Sequence, residues 1–245
     1  MKVLKISRKF HRWLMLFLGI QFLIWSISGA YMVIFDIDYI HGDSLVVNHQ
    51  NSIDVAKISY PLSALRQQYP DAKHIAVENF IDQVVYRFTA FDKKYLVDAF
   101  NGEQLSPLNA KDAKRAAKYY YSGTGEIVEI ELISENPPFE LSPRTLPAWR
   151  INFDDFGSPS LYVSAQTGKL VGKRHEFWRT FDLMFSLHVM DYEDEDPSNQ
   201  LLFWFAIFAL LAAIFGAVLS YLVIFKSNKA DVAKQSIGGG FNVAD

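Results

Sequence analysis

No cysteine occurs in this chain of 245 residues. That absence excludes disulfides, thiolate-ligated haem, cysteine-held iron–sulfur clusters and thiol catalysis. Any redox chemistry must therefore ride on a cofactor held by histidine or another non-thiol ligand. Nucleotide signatures are missing as well: there is no phosphate loop, no dinucleotide fingerprint and no nucleophile elbow. Gly123-Thr124-Gly125 is too short to cradle a phosphate and, following a helical segment, reads as a turn. A nicotinamide donor bound by this chain is not expected. A basic stripe is also lacking in the middle of the chain, where residues 36–200 carry 25 acidic against 16 basic side chains, a balance of −9. That balance argues against nucleic acid as a partner.

Long apolar runs are scarce too, and the two that exist organise the chain. Trp13 to Phe35 gives 23 residues without a formal charge, and Leu201 to Phe225 gives 25. At about 1.5 Å per residue the first spans roughly 35 Å, enough for the hydrocarbon core of a bilayer. It is too long for the apolar part of a cleavable signal peptide, so an uncleaved anchor is expected. Lys2, Lys5, Arg8, Lys9 and Arg12 precede the first run, and Lys226, Lys229 and Lys234 follow the second. By the positive-inside rule both termini lie in the cytoplasm and the acidic middle lies outside. In a bacterium this predicts a two-pass protein of the inner membrane with a periplasmic domain.

The middle holds a weak internal repeat. Leu96-Val97-Asp98-Ala99-Phe100-Asn101-Gly102-Glu103 aligns with Tyr162-Val163-Ser164-Ala165-Gln166-Thr167-Gly168-Lys169, each a short strand closed by a polar–Gly turn. A helical segment precedes each copy, Pro61 to Gln68 and Ala110 to Tyr121. Alternating stretches at His74–Phe80, Val84–Phe91, Glu126–Ile133 and Trp149–Phe153 read as strands. The expected class is α+β: two membrane helices flanking a domain in which a helix followed by a small antiparallel sheet is used twice. The boundaries expected are an N-terminus at 1–12, spans at 13–35 and 201–225, and an exposed domain at 36–172 with repeats at about 60–106 and 109–172. An amphipathic helix and acidic linker follow at 173–200, and a disordered tail at 226–245.

Two histidines stand out. His11 lies on a seam of period 3.5 through Met15, Leu18, Phe22, Trp25, Gly29 and Met32. One reading makes it an interfacial histidine among snorkelling cations; the other makes it an axial haem ligand walled by Met, Phe and Trp. His188 shares a helical face with Trp178, Phe181 and Phe185. It is either a core histidine satisfied by a backbone carbonyl or a second ligand. The two sit at opposite ends of a span and cannot share one haem in one subunit. The acidic run from Asp191, with Glu193 and Asp194, offers hard oxygen ligands for iron, or is a solvated linker. His41 and His49 read as solvated, and His74 carries no stronger signal. His175, beside Lys173 and Arg174, reads as an anion contact or a surface cation. Small-residue stripes at Ala209, Ala213, Ala217 and at Ala212, Gly216, Ser220 predict close helix approach and a homodimer through the membrane helices.

Taken in order, these motifs resemble the PepSY-associated transmembrane family. The resemblance rests on Arg8-x-x-His11-Arg12-Trp13, on Ser28-Gly29 at the close of the first run, and on the strand–polar–Gly signatures Asp98–Gly102 and Ser164–Gly168. The Leu187-His188 pair before the last run completes it. It covers most of residues 8–225, with two spans where larger members have four or more. It implies PepSY-like helix-plus-sheet repeats, b-type haem held by His188 and His11, and reduction of ferric iron or a ferric siderophore in iron acquisition. It leaves open a PepSY binding or regulatory module without enzymatic activity, or an accessory subunit of an iron transporter.

Overall fold

The computed structural model describes residues 2–49, 51–192 and 199–238, with side chains over 5–49, 51–192 and 199–224. The elements are helix α1 (Lys2–Ile34), a single turn α2 (Ile37–Ile40), helix α3 (Leu62–Gln68), strands β1 (Lys73–Phe80), β2 (Gln83–Ala90) and β3 (Lys93–Asp98), and helix α4 (Ala110–Tyr120). Strands β4 (Ile127–Ile133), β5 (Ala148–Phe153), β6 (Ser160–Ser164) and β7 (Leu170–Arg174) follow, then helices α5 (Glu176–Val189) and α6 (Gln200–Gly238). They divide into two compact units. One holds α1, α6 and the end of α5 from Asp182; the other is Phe35–Phe181.

In the first unit α1 and α6 run antiparallel. Phe10 stacks on Phe215, Phe17 meets Phe205 and Phe208, and Trp25 meets Phe205 edge-on. Both helices are long and apolar enough to cross a membrane, over Lys5–Ile34 and Gln200–Ile224. Their outward faces stay bare: Leu16 is 64%, Ile20 68% and Leu210 62% exposed. Water would not tolerate so continuous an apolar surface, whereas lipid does. The chain is thus compatible with a two-pass membrane protein. Beyond Lys226 the expected disordered tail is instead a continuation of α6 to Gly238. Half of residues 226–237 are strong helix formers, and no Gly or Pro interrupts the run before Gly238.

The second unit is helix then antiparallel sheet, twice: α3 with β1-β2-β3, and α4 with β4-β5-β6-β7. Asn109 caps α4 by accepting from the Asp112 amide at 2.9 Å, and Ala113, Ala116 and Ala117 form its buried face. Strand β2 is buried on both sides because its two faces serve different cores. Val84, Tyr86, Phe88 and Ala90 pack with Leu65 and Tyr69 of the α3 layer. Val85, one residue out of phase, joins Ile151, Phe153, Leu161 and Val163 of the second sheet. That alternation carries Arg87 inward with Val85.

The two polar–Gly turns of the repeat have one geometry. Gly102 and Gly168 sit at φ +78° and +66°, where glycine alone is at ease. Their amides bond to the carbonyls of Asp98 (3.0 Å) and Ser164 (2.9 Å), and an aromatic ring lies over each, Tyr60 and Phe80. A β-carbon at Gly168 would sit 2.5 Å from the Phe80 ring, which is itself 3% exposed and has nowhere to retreat. Gly168→Ala should therefore lower stability by about 2–3 kcal/mol, read as a fall in the denaturant midpoint of the full chain. The amphipathic helix expected from residue 173 starts at Glu176, because Leu170–Arg174 pairs with β6 as the fourth strand of the sheet.

Candidate functional site

The frame for the two histidines is the α1 seam. Side chains at Ser7, His11, Leu14, Leu18, Gln21, Trp25 and Ser28 are buried or half-buried, a 4-3-4-3 alternation. The expected seam agrees at His11, Leu18, Trp25, Gly29 and Met32. Its intermediate positions differ, since Met15 is 37% and Phe22 39% exposed. The inward places go to Leu14, Gln21 and Ser28, whose size and polarity suit close helix approach and hydrogen bonding.

Polarity at Gln21, Trp25 and Ser28 has a definite purpose. Helix α5 ends against α1, and a helix end leaves carbonyls without partners, a serious cost beside apolar helices. Gln21 Nε2 donates to the Leu187 carbonyl (3.3 Å), Trp25 Nε1 to that of His188 (2.7 Å) and Asn199 Nδ2 to that of Val189 (2.8 Å). The Asp191 amide returns to the Ser186 carbonyl (3.2 Å) across Met190, which turns left-handed at φ 56°. Four consecutive carbonyls are thereby satisfied.

His188 lies in this junction, half-buried, with its ring against Gly29 and 6.4 Å from that of Trp25. Its Nδ1 is 2.9 Å from Ser28 Oγ, and the same oxygen lies 2.8 Å from the Ile24 carbonyl. Two oxygens at that distance need the hydroxyl proton between them, so Ser28 donates to Ile24 and accepts from His188 Nδ1–H. The neutral imidazole is then the Nδ1–H tautomer, and Nε2 keeps its lone pair. His11 follows the same rule at the other end of α1. Its Nδ1 lies 3.0 Å from the Ala212 carbonyl, which can only accept, and its ring rests on Gly216. No described residue hydrogen-bonds to either Nε2. Eighteen residues of α1 separate His11 from Gly29, about 27 Å along the axis. The two imidazoles are separate sites.

The stripes on α6 divide. Ala212 is buried, Ala209 packs beside it and Gly216 holds His11, so these positions serve the pairing with α1 inside one chain. Ala209, Ala212 and Gly216 are thus engaged within the chain, while Ala213, Ala217 and Ser220 remain on the exposed surface of α6.

The remaining candidates fall elsewhere. Glu193 and Asp194 lie outside the described residues. Asp191 is half-buried and contributes its backbone to the close of α5. Among the described residues no group of three His, Asp or Glu side chains converges on a metal-sized space. His175 is no surface cation: it is 2% exposed, donates from Nε2 to the Tyr39 carbonyl (2.8 Å) and accepts the Trp178 amide at Nδ1 (3.3 Å). Burial lowers its pKa and keeps it neutral, and it closes the first turn of α5. His41 and His74 are exposed, while His49 stacks on Tyr119 at 3.9 Å and reaches the Tyr119 carbonyl (2.7 Å). The amides of Thr124 and Gly125 are taken by the Asp155 carboxylate at 3.2 Å each, which confirms the Gly-Thr-Gly segment as a turn. Compared with models of known families, with curated proteins and with solved structures, the chain finds no significant match.

Proposed function

We propose that the chain is a short two-span relative of the PepSY-associated transmembrane family and acts as a haem-binding ferric reductase of the bacterial inner membrane. In this reading both termini are cytoplasmic and Phe35–Phe181 is a periplasmic pair of PepSY-like repeats. The observation that carries it is the common state of the two imidazoles. Each is fixed through Nδ1 to an oxygen acceptor, and no described residue hydrogen-bonds to its Nε2. Axial ligation of a b-type haem asks for that arrangement, so the residues fit the group. Bound haem would supply one-electron transfer to periplasmic ferric iron or its chelate. The protein's part is to hold His188 and His11 in one tautomer, to orient them and to exclude water. Because the imidazoles are about 27 Å apart along α1, each needs its own second ligand. A second subunit supplies it most simply.

The test is spectroscopic. Full-length protein expressed with added haem should show dithionite-reducible absorbance in the b-type Soret and α regions. His188→Ala and His11→Ala should each remove part of that absorbance and depress ferric reduction. Colourless wild-type protein, or full haem and full activity in His188→Ala, would refute the assignment. A second reading, a ligand-binding module anchored by the two helices, is favoured by a cleft in the second unit.

A further inference from the structure

That cleft has a volume of about 770 Å³ and lies within Phe35–Phe181. Charged side chains from three parts of the unit line it: Asp43 after α2, Glu78 and Arg87 on β1 and β2, and Lys169 and Lys173 around the start of β7. Three cations face two carboxylates, an excess of positive charge in a segment whose overall balance is strongly acidic. The lining also includes His49 stacked on Tyr119.

Arg87 is the informative group. It is 6% exposed, buried by the strand alternation described above. Its Nε donates to the Thr167 carbonyl (2.7 Å) and its Nη1 to the Glu78 carboxylate. Its Nη2 is buried with no hydrogen-bond partner. Glu78 is shared with Lys169 (2.9 Å), so two cations divide one carboxylate. Lys173 is paired with Asp43. A buried guanidinium with one fork unfilled and half a counter-ion is costly, and an oxyanion is the chemical species that completes it.

A purely structural role for Arg87, tying the first sheet to the Thr167–Lys169 turn, accounts for Nε and Nη1. The guanidinium also lies over the Phe80 ring, 5.8 Å from its centroid, which still leaves Nη2 without a hydrogen-bond acceptor and the excess charge unbalanced. We propose that this cleft binds a small molecule bearing carboxylate or phosphate oxygens, with Arg87 as the buried anchor and Lys169 and Lys173 as the charged rim. The site lies in a different unit from His11 and His188.

The proposal is tested by calorimetric titration of the detergent-solubilised full chain with citrate and, separately, with inorganic phosphate, against chloride at matched ionic strength. Saturable binding of at least one anion is expected; citrate alone assigns the site to polycarboxylates, and phosphate alone to phosphoryl groups. Lys169 is exposed and Lys173 lies near the rim, so the double variant Lys169→Gln, Lys173→Gln should fold and bind about tenfold more weakly. Arg87→Lys keeps a charge for Glu78 but loses the fork, and should bind more weakly still, with folding verified by circular dichroism. No binding of either anion above the chloride control overturns the proposal. So does binding that the double lysine variant leaves unchanged.

Discussion

Glu140→Ala should be among the most damaging single changes in the second unit, lowering its stability by about 3 kcal/mol. The Glu140 side chain is only 11% exposed and takes a two-pronged bond from Arg179, Nε at 2.7 Å and Nη2 at 2.8 Å. It also accepts the hydroxyl of Tyr162, a fully buried residue. Alanine leaves that hydroxyl without an acceptor and Arg179 without its principal counter-charge, and each loss is expensive away from water. Arg179 keeps Glu176 (2.8 Å) and Ser160 (3.1 Å), which holds the loss to the lower end of the range for a broken buried pair. Hydrogen exchange of the full chain should show reduced protection across β5 and β6. Adding Tyr162→Phe to the variant should recover part of it.

The same group predicts a pH dependence. Burial pushes the Glu140 carboxyl up, but hydrogen bonds from Arg179 and Tyr162 and the charge of Arg179 outweigh it and hold the pKa below the ordinary 4.5. A carboxyl whose folded pKa is depressed stabilises the fold above its unfolded value. That contribution is lost as pH falls through the folded value. Protection across β5 and β6 should thus weaken in acid below about pH 4.5, and the Glu140→Ala variant should lack this part of the decline.

The second large effect concerns the proposed ligand state of His188. Ser28→Ala should weaken haem retention about 10–100-fold, the usual cost of removing the partner that fixes a ligating imidazole. Ser28 is fully buried, and it is the group that sets the Nδ1–H tautomer of His188. Without it the ring can turn, or place its proton on Nε2. Ser26 is the control two residues away: it is exposed and bonds only to the Phe22 carbonyl within its own helix. Ser26→Ala should retain haem like the wild type. Equal retention in both variants, measured by competition with an apo-haem acceptor, would show that Ser28 merely packs.

Much of the architecture was legible because simple periodicities carry it. The helix expected at Pro61–Gln68 forms over Leu62–Gln68, and the alternation at His74–Phe80 is β1, which begins one residue earlier at Lys73. The paired turns at Gly102 and Gly168 follow from residues that only positive φ suits. Hairpin turns without such residues were harder to place. Phe91-Asp92 turns β2 into β3 at positive φ at both residues with no glycine, so the start of β3 at Lys93 carried no signal. Residues 226–238 continue α6, since helix formation there depends on continuing an existing helix and needs no new nucleus.

By itself the sequence determined two apolar helices, an acidic α+β segment between them, and the exclusion of thiol chemistry, because charge, run length and composition are additive along a chain. Tertiary structure alone decided what each polar group faces. It showed that Gln21 and Trp25 close the end of α5, that His11 and His188 each bond through Nδ1 at separate sites, and that Glu140 joins Arg179 across 39 residues. It also turned Arg87 inward: the run Val84-Val85-Tyr86-Arg87-Phe88 alternates alike whichever face is covered, and only a second sheet packed on that face buries the charge. Hydrogen-bond partners distant in sequence leave no local trace, which is why these sites required the fold.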